Sequence, residues 1–95
     1  MVSKVHIFIS GRVQKVGFRF FTCQRAQSLG LSGWVKNLAD GRVELEVAGN
    51  PEKINQLVSW LNQGSPLSRV DDVWIADRIL VEKYPFSGFK VKATN

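Results

Sequence analysis

An α+β two-layer sandwich is the fold class this chain predicts, on three observations. Apolar residues alternate with a period of two in several short stretches, and in two longer ones they recur with a helical period. Turn residues separate the stretches. The stretches follow one another as strand, helix, strand, strand, helix, strand, with a strand-like tail. That order is the split βαβ, or ferredoxin-like, arrangement: a mixed, largely antiparallel sheet with two helices on one face and a short extra C-terminal strand. The 95 residues, 44% of them hydrophobic, fit a single domain, 1–95, with a core that needs no covalent staple.

Each element has its own signal. Val5, Ile7 and Ile9 alternate with Lys4, His6, Phe8 and Ser10, a half-buried strand. Gly11 to Gly17 breaks that period and reads as a loop. From Phe18 the period becomes helical, with Phe18, Phe21, Thr22, Arg25, Ala26 and Leu29 on one face and Gly30 as a left-handed stop. Leu31 to Asn37, rich in Trp and Val, is a second strand. Asp40-Gly41 turns the chain into a third, with Val43, Leu45 and Val47 inside and Arg42, Glu44 and Glu46 outside. Asn50 caps a second helix with Pro51 in its first position, and Ile54, Leu57, Val58 and Leu61 form its apolar stripe. Gly64 ends this helix and Ser65-Pro66 prevents its continuation. Val73, Ile75, Ile79 and Val81 alternate along a fourth strand, and Phe89 and Val91 mark the closing one. Right-handed crossovers make strands one and two parallel, with strand three between them. The loop after strand one and Asn37 at the end of strand two therefore meet on one rim of the sheet.

Composition excludes several classes. Cys23 is the only cysteine, so no intramolecular disulfide forms, and as a small core or helix-side residue it needs no chemical role. No targeting segment is evident, and no apolar run approaches the ~18 residues of a membrane span; the cytoplasm is the default location. The net charge of +5 favours anionic partners without naming one. No Cys, His or carboxylate spacing suggests a metal site, and no cofactor motif is present. His6 reads as a surface histidine on the solvent face. Asp71 and Asp72 are neighbours that point to opposite faces, so they cannot act as a catalytic pair. Glu44 and Glu46 share a face, but a solvated one.

The loop before the first helix carries the chemistry. It offers no Ser, Thr, Asp or Asn as an N-cap, which leaves the first N–H groups of the helix to another acceptor. An anion there would satisfy them and complement the helix dipole. Glycines at 11 and 17 allow N–H groups to converge, and Arg19 in the first turn presents a planar fork that matches two phosphate oxygens. Asn37, across the rim, donates and accepts, so it could hold a water for in-line attack on phosphorus. A glycine-bearing loop is by itself a weak signal, and an Asn before a turn is most often a turn residue.

The motifs make the signal specific. Gly11-Arg12-Val13-Gln14-Lys15-Val16-Gly17-Phe18-Arg19 resembles the first signature of the acylphosphatase family, Gly-any-Val-Gln-Gly-Val-any-Phe-Arg, and departs from its fixed positions only at Lys15. Gly33-Trp34-Val35-Lys36-Asn37, followed at the family's spacing by Gly41-Arg42-Val43 and Gly49, resembles the second signature throughout. The resemblance covers essentially the whole chain. It implies hydrolysis of the carboxyl–phosphate bond of acyl phosphates without metal or covalent intermediate; nothing in the sequence calls for a cofactor or for more than a monomer. It implies that Arg19 binds the phosphoryl group and that Asn37 orients the water. It assigns the cradle of N–H groups to Val13, Gln14, Lys15, Val16, Gly17 and Phe18, and the substrate's own phosphate takes the proton from water. If position 15 needs a positive φ, Lys there costs roughly 1 kcal/mol.

Two other readings share the element order. RNA-binding domains of this type stack bases on aromatics of strands one and three. Here strand three shows Arg42, Glu44 and Glu46 to solvent and only Phe8 is placed to stack, so no nucleic-acid partner is expected. A non-catalytic regulatory module is the other alternative, since fold alone does not fix function.

Overall fold

The computed structural model describes residues 2–94; Met1 and Asn95, the ends of the expected 1–95 domain, lie outside the described residues. The elements are strand β1 (Val2–Arg12), helix α1 (Phe18–Ser28), strands β2 (Ser32–Asn37) and β3 (Val43–Gly49), helix α2 (Pro51–Gln63), and strands β4 (Arg69–Val81) and β5 (Phe89–Val91). They form the expected βαββαβ sandwich with its extra strand, in a five-stranded sheet ordered β4-β1-β3-β2-β5. β1 and β2 each pair antiparallel with β3 and so run parallel to each other, while β5 adds parallel to β2. The C-terminal ends of β1 and β2 therefore share one rim.

The core lies between the sheet and the helices. Val5, Ile7 and Ile9 of β1 pair with Val47, Leu45 and Val43 of β3, and all six are fully buried. Ile54, Leu57 and Leu61 of α2 and Phe18, Thr22 and Ala26 of α1 cover them. Each large aliphatic side chain so buried contributes on the order of 2 kcal/mol. Asn50 caps α2 by accepting the Glu52 N–H at 2.8 Å. α1 ends in a Schellman motif: Gly30 has φ +71°, Leu31 N–H donates to Ala26 O, and Gly30 N–H to Gln27 O.

Three sequence expectations need correction. The buried stripe of α1 is narrower than expected: Phe21 and Leu29 are half-buried and Arg25 is exposed, because only positions four apart face the sheet. β1 does not stop at Ser10 but continues to Arg12, with Gly11 opposite Val70. Gly11 is required there by close approach, since at φ +122° a Cβ would lie 2.2 Å from Arg69 O. Strand four does not keep one phase. The register with β1 slips between His6 and Ile7 and between Ser10 and Gly11, leaving Ala76 and Asp71 as bulged residues. Val73 and Ile75 face the helices opposite Ile9 and Ile7, whereas Ile79 lies opposite Lys4 on the other face. One inserted residue inverts every side chain beyond it.

The outer sheet face is also more aromatic than Phe8 alone. Trp74 stacks on Phe8 at 5.5 Å, and Trp34 lies beneath the ammonium groups of Lys36 and Lys92. Its carboxylates are paired, Glu46 with Lys4 and Glu44 with His6 and Lys36.

Candidate active site

The rim between β1 and β2 holds a cavity of about 340 Å³, lined by Val13, Lys15, Gly17, Phe18, Arg19, Phe20, Asn37 and Val91. The side chains of the β1–α1 loop explain how it is built. Val13 and Phe18 are 1% exposed, and Val16 packs against the same core. Phe18 lies against Trp60 at 5.9 Å between ring centroids. Pinning these apolar groups inward leaves the polar backbone of the loop at the surface. Lys15 has φ +62° and Gly17 φ +74°, and Lys15 is the non-glycine residue with positive φ among the described residues. Among the described residues, no protein acceptor takes the N–H groups of Gln14, Lys15, Val16 or Gly17, and no side chain caps α1. Neighbouring left-handed residues and unpaired N–H groups are the makings of an anion nest.

Arg19 and Asn37 line this one cavity from different elements. Arg19 donates through Nη1 to the Lys92 carbonyl at 2.9 Å and is paired with no carboxylate among the described residues, which leaves the rest of its fork for a ligand. Asn37 closes β2 opposite Val43, is 9% exposed, and its Oδ1 is buried without a hydrogen-bond partner among the described residues. Such an orphaned acceptor is the kind a bound water satisfies. Among the described residues no carboxylate lines the cavity, while Lys15 and Arg19 both do, so its field attracts anions.

Not every loop residue faces the cavity. Val16 turns inward. Gln14 reaches away to the β2–β3 turn, its Nε2 donating to Leu38 O at 2.8 Å and to Arg42 O at 2.9 Å. Motif reading placed Gln14 in the phosphate loop through its backbone and missed this side-chain strut. It also missed Phe20, Val91 and the Lys92 carbonyl, which carry no local pattern. The turn that Gln14 grips is itself braced: the Arg42 backbone N–H, with its guanidinium, holds the Asp40 carboxyl below the usual carboxylate range.

Other ionisable groups stand apart. His6 is bonded to Glu44 at 2.6 Å on the sheet face away from the helices. Cys23 has its thiol pushed up by burial. No cluster of three or more His, Cys, Asp or Glu side chains that could hold a metal occurs among the described residues, and no helix there is long and apolar enough to cross a membrane.

Comparison with known proteins follows the same lines. The acylphosphatase family model matches residues 5–91. An acylphosphatase of Thermococcus kodakarensis is 44% identical over 88 residues, 93% of either chain. The crystal structure of acylphosphatase from Bacillus subtilis superposes with a TM-score of 0.87 at 35% identity, covering 97% of this chain and 99% of that one. An acylphosphatase from Coxiella burnetii gives 0.86 at 41% identity, over 96% and 93% of the respective chains.

Proposed function

The chain belongs to the acylphosphatase family, and on that premise we propose that it hydrolyses acyl phosphates with Arg19, Asn37 and the Val13–Phe18 loop as its working parts. The observation that carries this reading is one cavity shared, among the described residues, by a guanidinium that no carboxylate pairs, a loop of unpaired N–H groups and a buried amide with an orphaned oxygen.

In this mechanism the phosphoryl oxygens accept hydrogen bonds from the loop N–H groups and from Arg19, whose Nη1 is steadied by Lys92 O. Asn37 holds a water in line with the bond to be broken. As the water oxygen bonds to phosphorus, the bridging P–O bond breaks and its electron pair leaves with the carboxylate. The water's proton passes to a phosphoryl oxygen. A carboxylate departs without protonation, so no general acid is needed, and among the described residues no His or carboxylate lines the cavity to act as one. Donors fixed before the reaction act on the charge of the transition state at little reorganisation cost.

Benzoyl phosphate cleavage in ¹⁸O-enriched water with EDTA tests the reading. Turnover with label in inorganic phosphate supports attack at phosphorus. Label in benzoate, or no turnover at all, counts against it.

A further inference from the structure

The phosphoryl machinery accounts for only part of the cavity wall. The loop, Arg19 and Asn37 are polar at the points they offer, yet the same cavity is lined by two large apolar side chains held out in water, Phe20 at 61% exposure and Val91 at 47%. Single exposed apolar residues are ordinary. Two that line the same cavity, from elements far apart in sequence, call for a shared ligand.

We infer that Phe20 and Val91 form an apolar shelf for the acyl group, which makes acyl phosphates with aromatic or bulky apolar acyl groups the preferred substrates over short ones. This rests on the acyl phosphate reading above. An acyl group is one bridging oxygen from phosphorus, so with the phosphoryl group in the N–H cradle it extends into the remainder of the same cavity. That remainder is faced by Phe20 and Val91.

Both walls are held in place before any ligand arrives. The Phe20 ring packs edge-on against Phe21, with centroids 5.4 Å apart at 75°. The chain after Val91 is tied on both sides: Lys92 N–H donates to Val35 O at 2.8 Å, and Lys92 O accepts from Arg19 at 2.9 Å. The bond that aims the guanidinium therefore also fixes the strand end that carries Val91. Phosphoryl and acyl contacts are set at a constant separation, the condition under which remote binding aids a reaction at phosphorus.

The test compares kcat/KM for benzoyl phosphate and acetyl phosphate in the unmodified chain, Phe20→Ala, Phe20→Leu and Val91→Ala. Losing one aromatic or branched wall is expected to lower the benzoyl-over-acetyl ratio about five- to tenfold in Phe20→Ala, mainly through KM. A smaller fall is expected in Val91→Ala and partial recovery in Phe20→Leu. A disturbed fold lowers both substrates together and cancels in the ratio. An unchanged ratio in both alanine variants overturns the shelf while leaving the hydrolase intact. Failure of the unmodified chain to cleave either substrate removes the hydrolase reading itself, and the shelf with it.

Discussion

Gln14 binds the β1–α1 loop to the β2–β3 turn through a 2.8 Å hydrogen bond from its Nε2 to Leu38 O, one residue beyond Asn37. The same nitrogen reaches Arg42 O at 2.9 Å. The two sides of the cavity are thus joined by a single amide. Gln14→Ala is expected to lower kcat about 10- to 100-fold through misplacement of Asn37 relative to the loop, and to lower stability by roughly 1–3 kcal/mol as two hydrogen bonds are lost, although Leu38 O and Arg42 O each keep a backbone donor. Gln14→Glu, equal in size but without the donors, should do no better. Steady-state kinetics and urea unfolding of both variants check this.

Arg19→Ala removes the one guanidinium that lines the cavity among the described residues. Turnover should fall on the order of 10²–10³-fold or more, as for loss of a preorganised charge-stabilising donor, and inhibition by inorganic phosphate should nearly vanish. Arg19→Lys should recover little, because an ammonium cannot hold Lys92 O and fork two phosphate oxygens together. Retained phosphate inhibition in the alanine variant would remove Arg19 from this role.

Asn37→Ala separates water placement from binding. A group that acts on the attacking water should lower kcat far more than it weakens phosphate inhibition. Equal losses in the two measurements would make Asn37 a binding residue.

Lys15 gives a nearly silent change in stability. Its φ of +62° costs roughly 1 kcal/mol for a side chain with a Cβ, but Gly there loses more chain entropy on folding, by roughly 0.5–1 kcal/mol. Lys15→Gly should therefore shift unfolding free energy by less than about 1 kcal/mol. Phosphate inhibition should weaken severalfold at low salt and converge with the unmodified chain as salt rises. Titration of phosphate inhibition against ionic strength measures this.

Gly11→Ala should be costly away from the chemistry. The added Cβ would lie 2.2 Å from Arg69 O and 2.7 Å from Asp71 N, both backbone atoms that cannot swing aside. A loss of more than about 2 kcal/mol is expected in urea unfolding. Full stability would mean that Gly11 does not approach the Arg69 and Asp71 backbone this closely.

Much of this architecture was legible because it is local. Alternation fixed β1 and β3, Asn50-Pro51 fixed the start of α2, and Gly30 the end of α1. Arg19 and Asn37 were legible because their motifs carry fixed spacings, and the structure brings both to one cavity. What escaped depends on atoms distant in sequence. The phase of β4 inverts at Ala76, and nothing in that short residue announces a bulge whose cause is its fit against β1. The partners of Gln14 and Arg19 are main-chain carbonyls at Leu38, Arg42 and Lys92, which any residue would supply. Trp34 beside His6 and Trp74 beside Phe8 come together on the outer face only once the strand order and register are known.

The slips in β4 bear on how the protein behaves in a crowd. β4 lies at the margin of the sheet, with Trp74 and Leu80 well exposed along it, and a flat, greasy margin invites other chains to add to it and grow fibrils. The irregularities at Asp71 and Ala76 cut the outward row of hydrogen-bonding groups into short lengths, and Asp72, Asp77 and Arg78 set charges among them. An incoming strand would lose register before it could anchor, so the margin discourages the fibre-forming association that its side chains alone would favour.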